Sequence, residues 1–494
     1  MSVLSGLTPA NVFKYFEEIC SIPHGSGNTL AISNYLVDFA KSHSLNYIQD
    51  ESNNVIIFKS GTSGYENAAP VILQGHMDMV CEKEPNCPID FEKNGLTLKL
   101  ENGTISAEGT TLGGDDGIAV AYALAILDAD DIPHPPIEAV FTVDEEIGML
   151  GASALDCSPL TSRIMLNIDS EEEGYLLVSC AGGATATCKL PVSYCQPTSP
   201  IMNIINLKIS GIEGGHSGVE IIKQGANADK ILGRILYDIS KQLPIHLISI
   251  SGGNKDNAIP KKAEATIALY AQNDLDILNK LIQNENEILS HEYSHSDPDI
   301  SVSYEVISND LADTIAVMTD EDTTKVIAAL NLLPNGIRKM SQDIEGLVQT
   351  SLNLGIMNTI KGNNHDGCIC FSFSVRSSIK TEKEYLINQI ECLMNSLGGT
   401  VELSGEYPAW EYRKDSPLRD IMVDVFKEQY GHEPIIQALH AGLECGIFNE
   451  KLPGLDCVSF GPDMKDIHTS NESMSVESVA RTWDYILEIL KRLK

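Results

Sequence analysis

Short apolar, β-rich runs at 54–59, 71–73, 137–143 and 164–168 alternate with stretches of helical periodicity at 9–21, 28–42 and 116–128. A strand that reaches the next strand through a helix makes a parallel crossover, and helices stacked on the faces of such a sheet form an α/β layer. The first third of the chain is therefore expected to be a mixed, mostly parallel sheet flanked by helices. Thr8 before Pro9 marks the start of the first helix, with Thr8 as its cap.

From about residue 188 the texture changes into two similar α+β halves. The first, about 188–305, reads as strand 204–209, a Gly-Gly-His-Ser-Gly turn, helix 228–243, strands 245–251 and 263–271, and helix 274–291. The second, about 306–398, reads as helix 322–332, strands 347–354 and 368–375, and helix 381–397. This is an internal duplication. The α/β pattern then returns with helix 417–430, strand 456–460 and helix 475–493. The simplest architecture is one α/β domain, 1–187 and 399–494, interrupted by a duplicated α+β domain at 188–398.

The 494 residues are 43% hydrophobic, enough apolar material for more than one core. Lys plus Arg number 34 against 69 Asp plus Glu, and the net charge of −35 repels phosphate backbones and anionic lipids. Neither nucleic acid nor a membrane is an expected partner. The longest apolar run, 118–127, is too short to cross a bilayer. No secretory signal is visible in the opening residues, and the twelve Cys include no Cys-x-x-Cys pair, so they read as reduced thiols. A cytoplasmic protein is expected.

The informative acids are those placed at strand ends. Run 71–73 leads to His76 and Asp78, which a period of two puts on one side of an extended chain. Asp115 and Asp116 open the apolar helix, run 137–143 enters Asp144, Glu145 and Glu146, and run 164–168 ends at Asp169. Strand 456–460 is followed by Gly461, Pro462 and then His468. Taken singly, each has an ordinary explanation: a hydrogen-bonded pair, a helix cap, or a solvated turn, which is the reading for Glu171, Glu172 and Glu173. In an open α/β sheet, however, the carboxyl ends of the strands share one crevice. Two His with several carboxylates suit zinc or a similar divalent ion, and a carboxylate shared by two ions would make a two-metal hydrolytic site.

These motifs, together with Thr111-Leu-Gly-Gly-Asp-Asp-Gly, Gly214-Gly-His-Ser-Gly and His440-Ala-Gly-Leu-Glu-Cys-Gly, resemble the family of dinuclear zinc dipeptidases, aminoacylases and carboxypeptidases along essentially the whole chain. The resemblance implies two divalent ions, zinc first, with Mn2+ or Co2+ as alternatives. It implies His76 and Asp169 on one ion, Glu146 and His468 on the other, and Asp115 bridging, with His440 the competitor for the place of His468. Asp78 would orient His76, and Glu145 would be general base and then proton donor. The Asp115-Asp116 peptide matches a cis bond of the family. The insertion would be a lid, with His216 and Asn257 holding the substrate carbonyl and Arg376, thirteen residues after Asn363, the substrate carboxylate. The doubled lid suggests that its first half imitates a partner's, although exposed apolar lid faces also suit a homodimer. The implied reaction is hydrolysis of small dipeptides, Xaa-His types such as carnosine included. An aminoacylase or a tripeptidase of the same family is the alternative. An inert metal-binding protein on this fold is the remote one, and the presence of both Asp78 and Glu145 argues against it.

Overall fold

The computed structural model describes residues 2–271, 273–307, 315–362 and 365–494, so Asn363 lies outside the described residues. The chain divides into two compact units. The first comprises Met1–Cys180, Tyr412–Ala438 and Leu443–Lys494, and the second Ala181–Glu411 and Leu439–Gly442. No helix among the described residues is long and apolar enough to cross a membrane.

The first unit is built on an eight-stranded sheet in the order Asn46–Gln49, Val55–Lys59, Ile137–Thr142, Val71–His76, Ile164–Asn167, Asp456–Ser459, Tyr175–Cys180 and Ile435–Leu439. The four strands from Ile137–Thr142 to Asp456–Ser459 run parallel. Three of them, Ile137–Thr142, Val71–His76 and Asp456–Ser459, are buried at every position, which is why they read as continuous apolar runs instead of alternating ones. Helix Gly114–Asp128 packs on Val71–His76 and against helix Ala10–Cys20. It is buried from Gly117 through Leu127, and full burial of each Leu, Ile or Tyr there contributes about 1.5–3 kcal/mol. The first helix begins at Ala10 with Pro9 in the cap position, and no side chain caps it, so Thr8 does not play the role its sequence position suggested.

The second unit is an antiparallel ten-stranded sheet covered by helices Ala228–Ser240, Asp274–Glu292, Asp320–Leu332 and Lys380–Ser396. Ile245–Gly252 joins Val348–Lys361 through the pairs Ser251–Asn358 and Gly252–Met357, so strands from both halves form one sheet. The main segment of the unit runs from Ala181 to Glu411, beyond the limits of 188 and 398 read from the sequence. The physical reason is strand Gly182–Cys195, which pairs with both Asp366–Ser377 and Thr400–Tyr407 and would be cut by the narrower limits.

Candidate active site

His76 closes strand Val71–His76, and its imidazole is 1% exposed. Its Nδ1 lies 3.0 Å from the carbonyl oxygen of Asp78 and 3.5 Å from Asp78 Oδ1, which fixes the ring and turns Nε2 outward. That Nε2 is 3.1 Å from Asp115 Oδ1 and 3.7 Å from Asp169 Oδ1. The second oxygen of Asp115 is 3.1 Å from His468 Nε2, and the same imidazole nitrogen is 2.9 Å from Glu146 Oε1. Asp115 thus touches both histidines, one with each carboxylate oxygen.

These spacings test whether the residues fit metal ions. Two donors bound to one tetrahedral zinc at about 2.0–2.1 Å lie about 3.3 Å apart, and the contacts of 2.9–3.7 Å between the donor atoms bracket that edge. Two imidazoles and three carboxylates are also the donor types a divalent transition ion takes. The residues fit.

Among the described residues, three groups have ligand atoms all within 4.8 Å of one another: Asp115, Glu146 and His468; His76, Asp116 and Asp169; and His76, Glu145 and Glu146. The second group contains Asp116, to which the sequence reading gave no ligand role. Asp116 Oδ2 accepts the backbone N–H of His76 at 3.2 Å, and its carboxyl is fully buried. Asp115 and Asp116 are joined by a cis peptide, and both depart from helical geometry. A Cβ at Gly75 would sit 2.5 Å from both Asp116 Oδ2 and Ala119 Cβ, so the glycine before His76 is what lets the helix approach the strand.

Charge in the site is organised for cations. Burial opposes a charged His76, yet hydrogen bonds to Asp115 and Asp78 and the charge of Asp169 raise its pKa well above the usual range. Hydrogen bonds to Asp115 and Glu146 lift His468 to about 10. Burial likewise opposes a charged Asp115, but His468 and His76 hold its carboxyl below the normal range. Burial pushes Glu145 up to about 8; His76 opposes this, and Glu444, Glu146 and Asp115 add to it. Each Nε2 faces carboxylate oxygens, so a metal ion in place of its proton would satisfy the same charges. Asp144 and His468 adopt positive φ, 55° and 59°, a region non-glycine residues seldom occupy and one that clusters at functional sites.

Several contributors were not read from the sequence. Ser26 Oγ donates to Asp78 Oδ2 at 2.7 Å. Glu472, 3% exposed, accepts the N–H groups of Leu112 and Gly114 at 2.8 Å each and of Gly113 at 3.2 Å, completing the helix start that carries Asp115. The available signal was Gly113-Gly114 itself, a helix start with no side chain of its own to cap it. Glu173 corrects the solvated-turn reading: Arg481 donates to its two oxygens at 2.7 and 2.6 Å.

In the second unit, His216 lies on the two-residue strand Gly215–His216, paired with Ala258–Ile259, and Ser217 N donates to Asn257 O at 2.8 Å. His216 and Asn257 are therefore neighbours. Arg376 sits opposite Ser351 in the sheet and donates to Tyr407 Oη at 2.8 Å, while its Nε is buried without a hydrogen-bond partner. His440 belongs to this unit, with Nε2 2.7 Å from Ser351 Oγ, whereas His468 lies against Asp115 and Glu146 in the first.

Residues 72–492 match the model of peptidase family M20/M25/M40. The chain is 36% identical over 493 residues to a cytosol non-specific dipeptidase of Escherichia coli, covering 100% of this chain and 99% of the relative. Among solved structures, an aminoacylhistidine dipeptidase from Vibrio alginolyticus superposes with a TM-score of 0.92 at 36% identity, covering 99% of this chain and 97% of that one. A tripeptidase from Staphylococcus aureus, at 18% identity and a TM-score of 0.57 over 99% of both chains, shares the fold.

Proposed function

Because the chain belongs to peptidase family M20/M25/M40, we propose that it is a metal-dependent dipeptidase acting on small dipeptides with a free carboxylate, Xaa-His dipeptides such as carnosine among them. The observation that carries this reading is the position of Asp115, whose two oxygens each contact a different histidine at 3.1 Å. His76 and Asp169 would hold one cation and Glu146 and His468 the other, with Asp115 between them. Two divalent cations, zinc first among the candidates, supply carbonyl polarisation and an acidified water when bound.

The chain's own residues carry the proton. Glu145 takes one from the attacking water and returns it to the departing amine. Asp78 holds His76 in one tautomer and one orientation. In the lid, His216 and Asn257 would donate to the oxygen of the scissile carbonyl and Arg376 would pair with the substrate carboxylate. The cytosolic relative supports a cytoplasmic location. Metal analysis of the purified protein together with a panel of dipeptides, tripeptides and N-acyl amino acids tests the reading. Two metal equivalents and preferential dipeptide hydrolysis are expected, whereas preference for N-acyl amino acids or tripeptides would reassign the substrate within the family.

A further inference from the structure

The motif His440-Ala-Gly-Leu-Glu-Cys-Gly has no role in the mechanism above, yet it delivers a fully buried carboxylate into the first unit. Glu444 begins helix Glu444–Lys451 and is 0% exposed. Its Oε2 accepts from Gln74 Nε2 and from Thr142 Oγ1, each at 2.6 Å. Asn167 Nδ2 in turn donates to Gln74 Oε1 at 2.5 Å, and Gln74 Nε2 also lies 3.3 Å from Thr142 Oγ1. All three partners are 1% exposed or less.

These partners sit on three adjacent parallel strands, each just before a residue assigned above to metal or catalysis. Gln74 precedes His76 by two positions on Val71–His76, Asn167 precedes Asp169 by two on Ile164–Asn167, and Thr142 ends the strand that leads to Glu145 and Glu146. Period-two alternation puts Gln74 on the His76 side of its strand. We infer that Glu444 is a positioning residue that clamps these three strand ends together and so presets His76, Asp169 and the Glu145–Glu146 loop for cation binding. The inference rests on the metal-dependent reading of the site. Without its carboxylate, two buried donors, on Gln74 and Thr142, would lose their acceptor, which is costly in a dry interior.

The test uses zinc alone as the probe, with affinity measured by competition against a chromophoric chelator. Glu444→Leu is expected to weaken zinc binding on the order of 10–100-fold, as loss of an outer partner of a metal site does, and to lower kcat at saturating zinc with little change in KM. Glu444→Gln keeps an acceptor and the side-chain volume and is expected to recover most of both. Wild-type zinc affinity in Glu444→Leu overturns the inference even if the metal-free protein melts earlier, because that is the outcome of a purely structural role. Should Glu444→Leu not fold, Thr142→Val removes one donor while keeping the shape, and unchanged zinc affinity there overturns the inference equally. A wild-type protein that binds zinc but hydrolyses no dipeptide would sink the proposed function and leave this affinity comparison standing.

Discussion

The backbone N–H of Glu145 donates to Oδ1 of Asp78 at 3.1 Å. The same carboxylate reaches the His76 ring and accepts from Ser26, so Asp78 ties the strand end of His76, a proposed ligand, to the loop that carries the proposed base. Asp78→Ala breaks both ties and is expected to cut kcat at saturating zinc about 10–100-fold, with a parallel loss of zinc affinity. Asp78→Asn keeps an oxygen for Glu145 N but no charge for His76, and should fall between. Steady-state kinetics with chelator competition measures this; wild-type kcat in Asp78→Ala would remove Asp78 from the mechanism.

Glu145 is a base in this reading, yet an oxygen of its carboxylate lies within 4.8 Å of a ring nitrogen of His76 and a carboxylate oxygen of Glu146. Glu145→Gln preserves the shape and removes the proton acceptor. The expected result is a fall in kcat of about 10²–10⁴-fold with both metal equivalents retained. Loss of one equivalent instead would make Glu145 a ligand.

Fold and site were legible to different depths. The parallel strands were readable because complete burial leaves unbroken apolar runs, and the candidate ligands His76 and Asp169 because they stand at or just beyond the ends of such runs. Strand Gly182–Cys195 was not read as a strand at all: it begins with the small residues Gly182-Gly-Ala, and its burial depends on partners some two hundred residues later. Glu472 and Glu444 were invisible as site residues for a related reason. Their partners are 358–360 and 302–370 positions away, so no local spacing announces them. Local spacing does not tell Asp116 from Asp115, since adjacent acids at a helix start look alike; only the family resemblance singled out Asp115.

Glu472→Ala tests whether the helix start needs its distant acceptor. Three buried N–H groups lose their partner at once, and one unsatisfied buried group costs about 1–3 kcal/mol. Destabilisation of about 3 kcal/mol in urea unfolding is expected, along with weakened zinc binding because Asp115 follows directly. Glu472→Gln should recover part of the stability. An unchanged urea midpoint in Glu472→Ala would show that water replaces the carboxylate there.

His440 predicts an acid limb of stability. Burial, reinforced by the positive charges of Arg376 and His216, lowers its pKa from 6.5 to about 3. The folded protein therefore keeps it neutral while the unfolded chain takes up a proton near 6.5, and below that pH the unfolded state binds more protons. The stabilisation is complete above about pH 6.5 and is lost as pH falls toward 3, by at most about 1.4 kcal/mol per pH unit. His440→Asn should flatten this limb in chemical unfolding between pH 7 and 5. Parallel curves for the variant and the wild type would exclude His440 as the source.

Arg376 and His216 are the residues of the second unit proposed to meet the substrate. The Arg376 guanidinium is 8% exposed and committed to Tyr407 by one nitrogen, so it retains donors for a carboxylate. A charged hydrogen bond contributes about 1.5–3 kcal/mol. Arg376→Ala is therefore expected to lower kcat/KM for free dipeptides on the order of 10–100-fold, chiefly through KM, and to leave weak hydrolysis of amidated dipeptides unchanged. Arg376→Lys should restore little of the loss, since a point charge cannot reproduce a planar fork. If the doubled lid completes the site within one chain, mixing His216→Ala with Arg376→Ala protein yields no activity beyond the sum of the two. Recovery on mixing would mean that these groups act across two chains, and the first half of the lid would then not stand in for a partner.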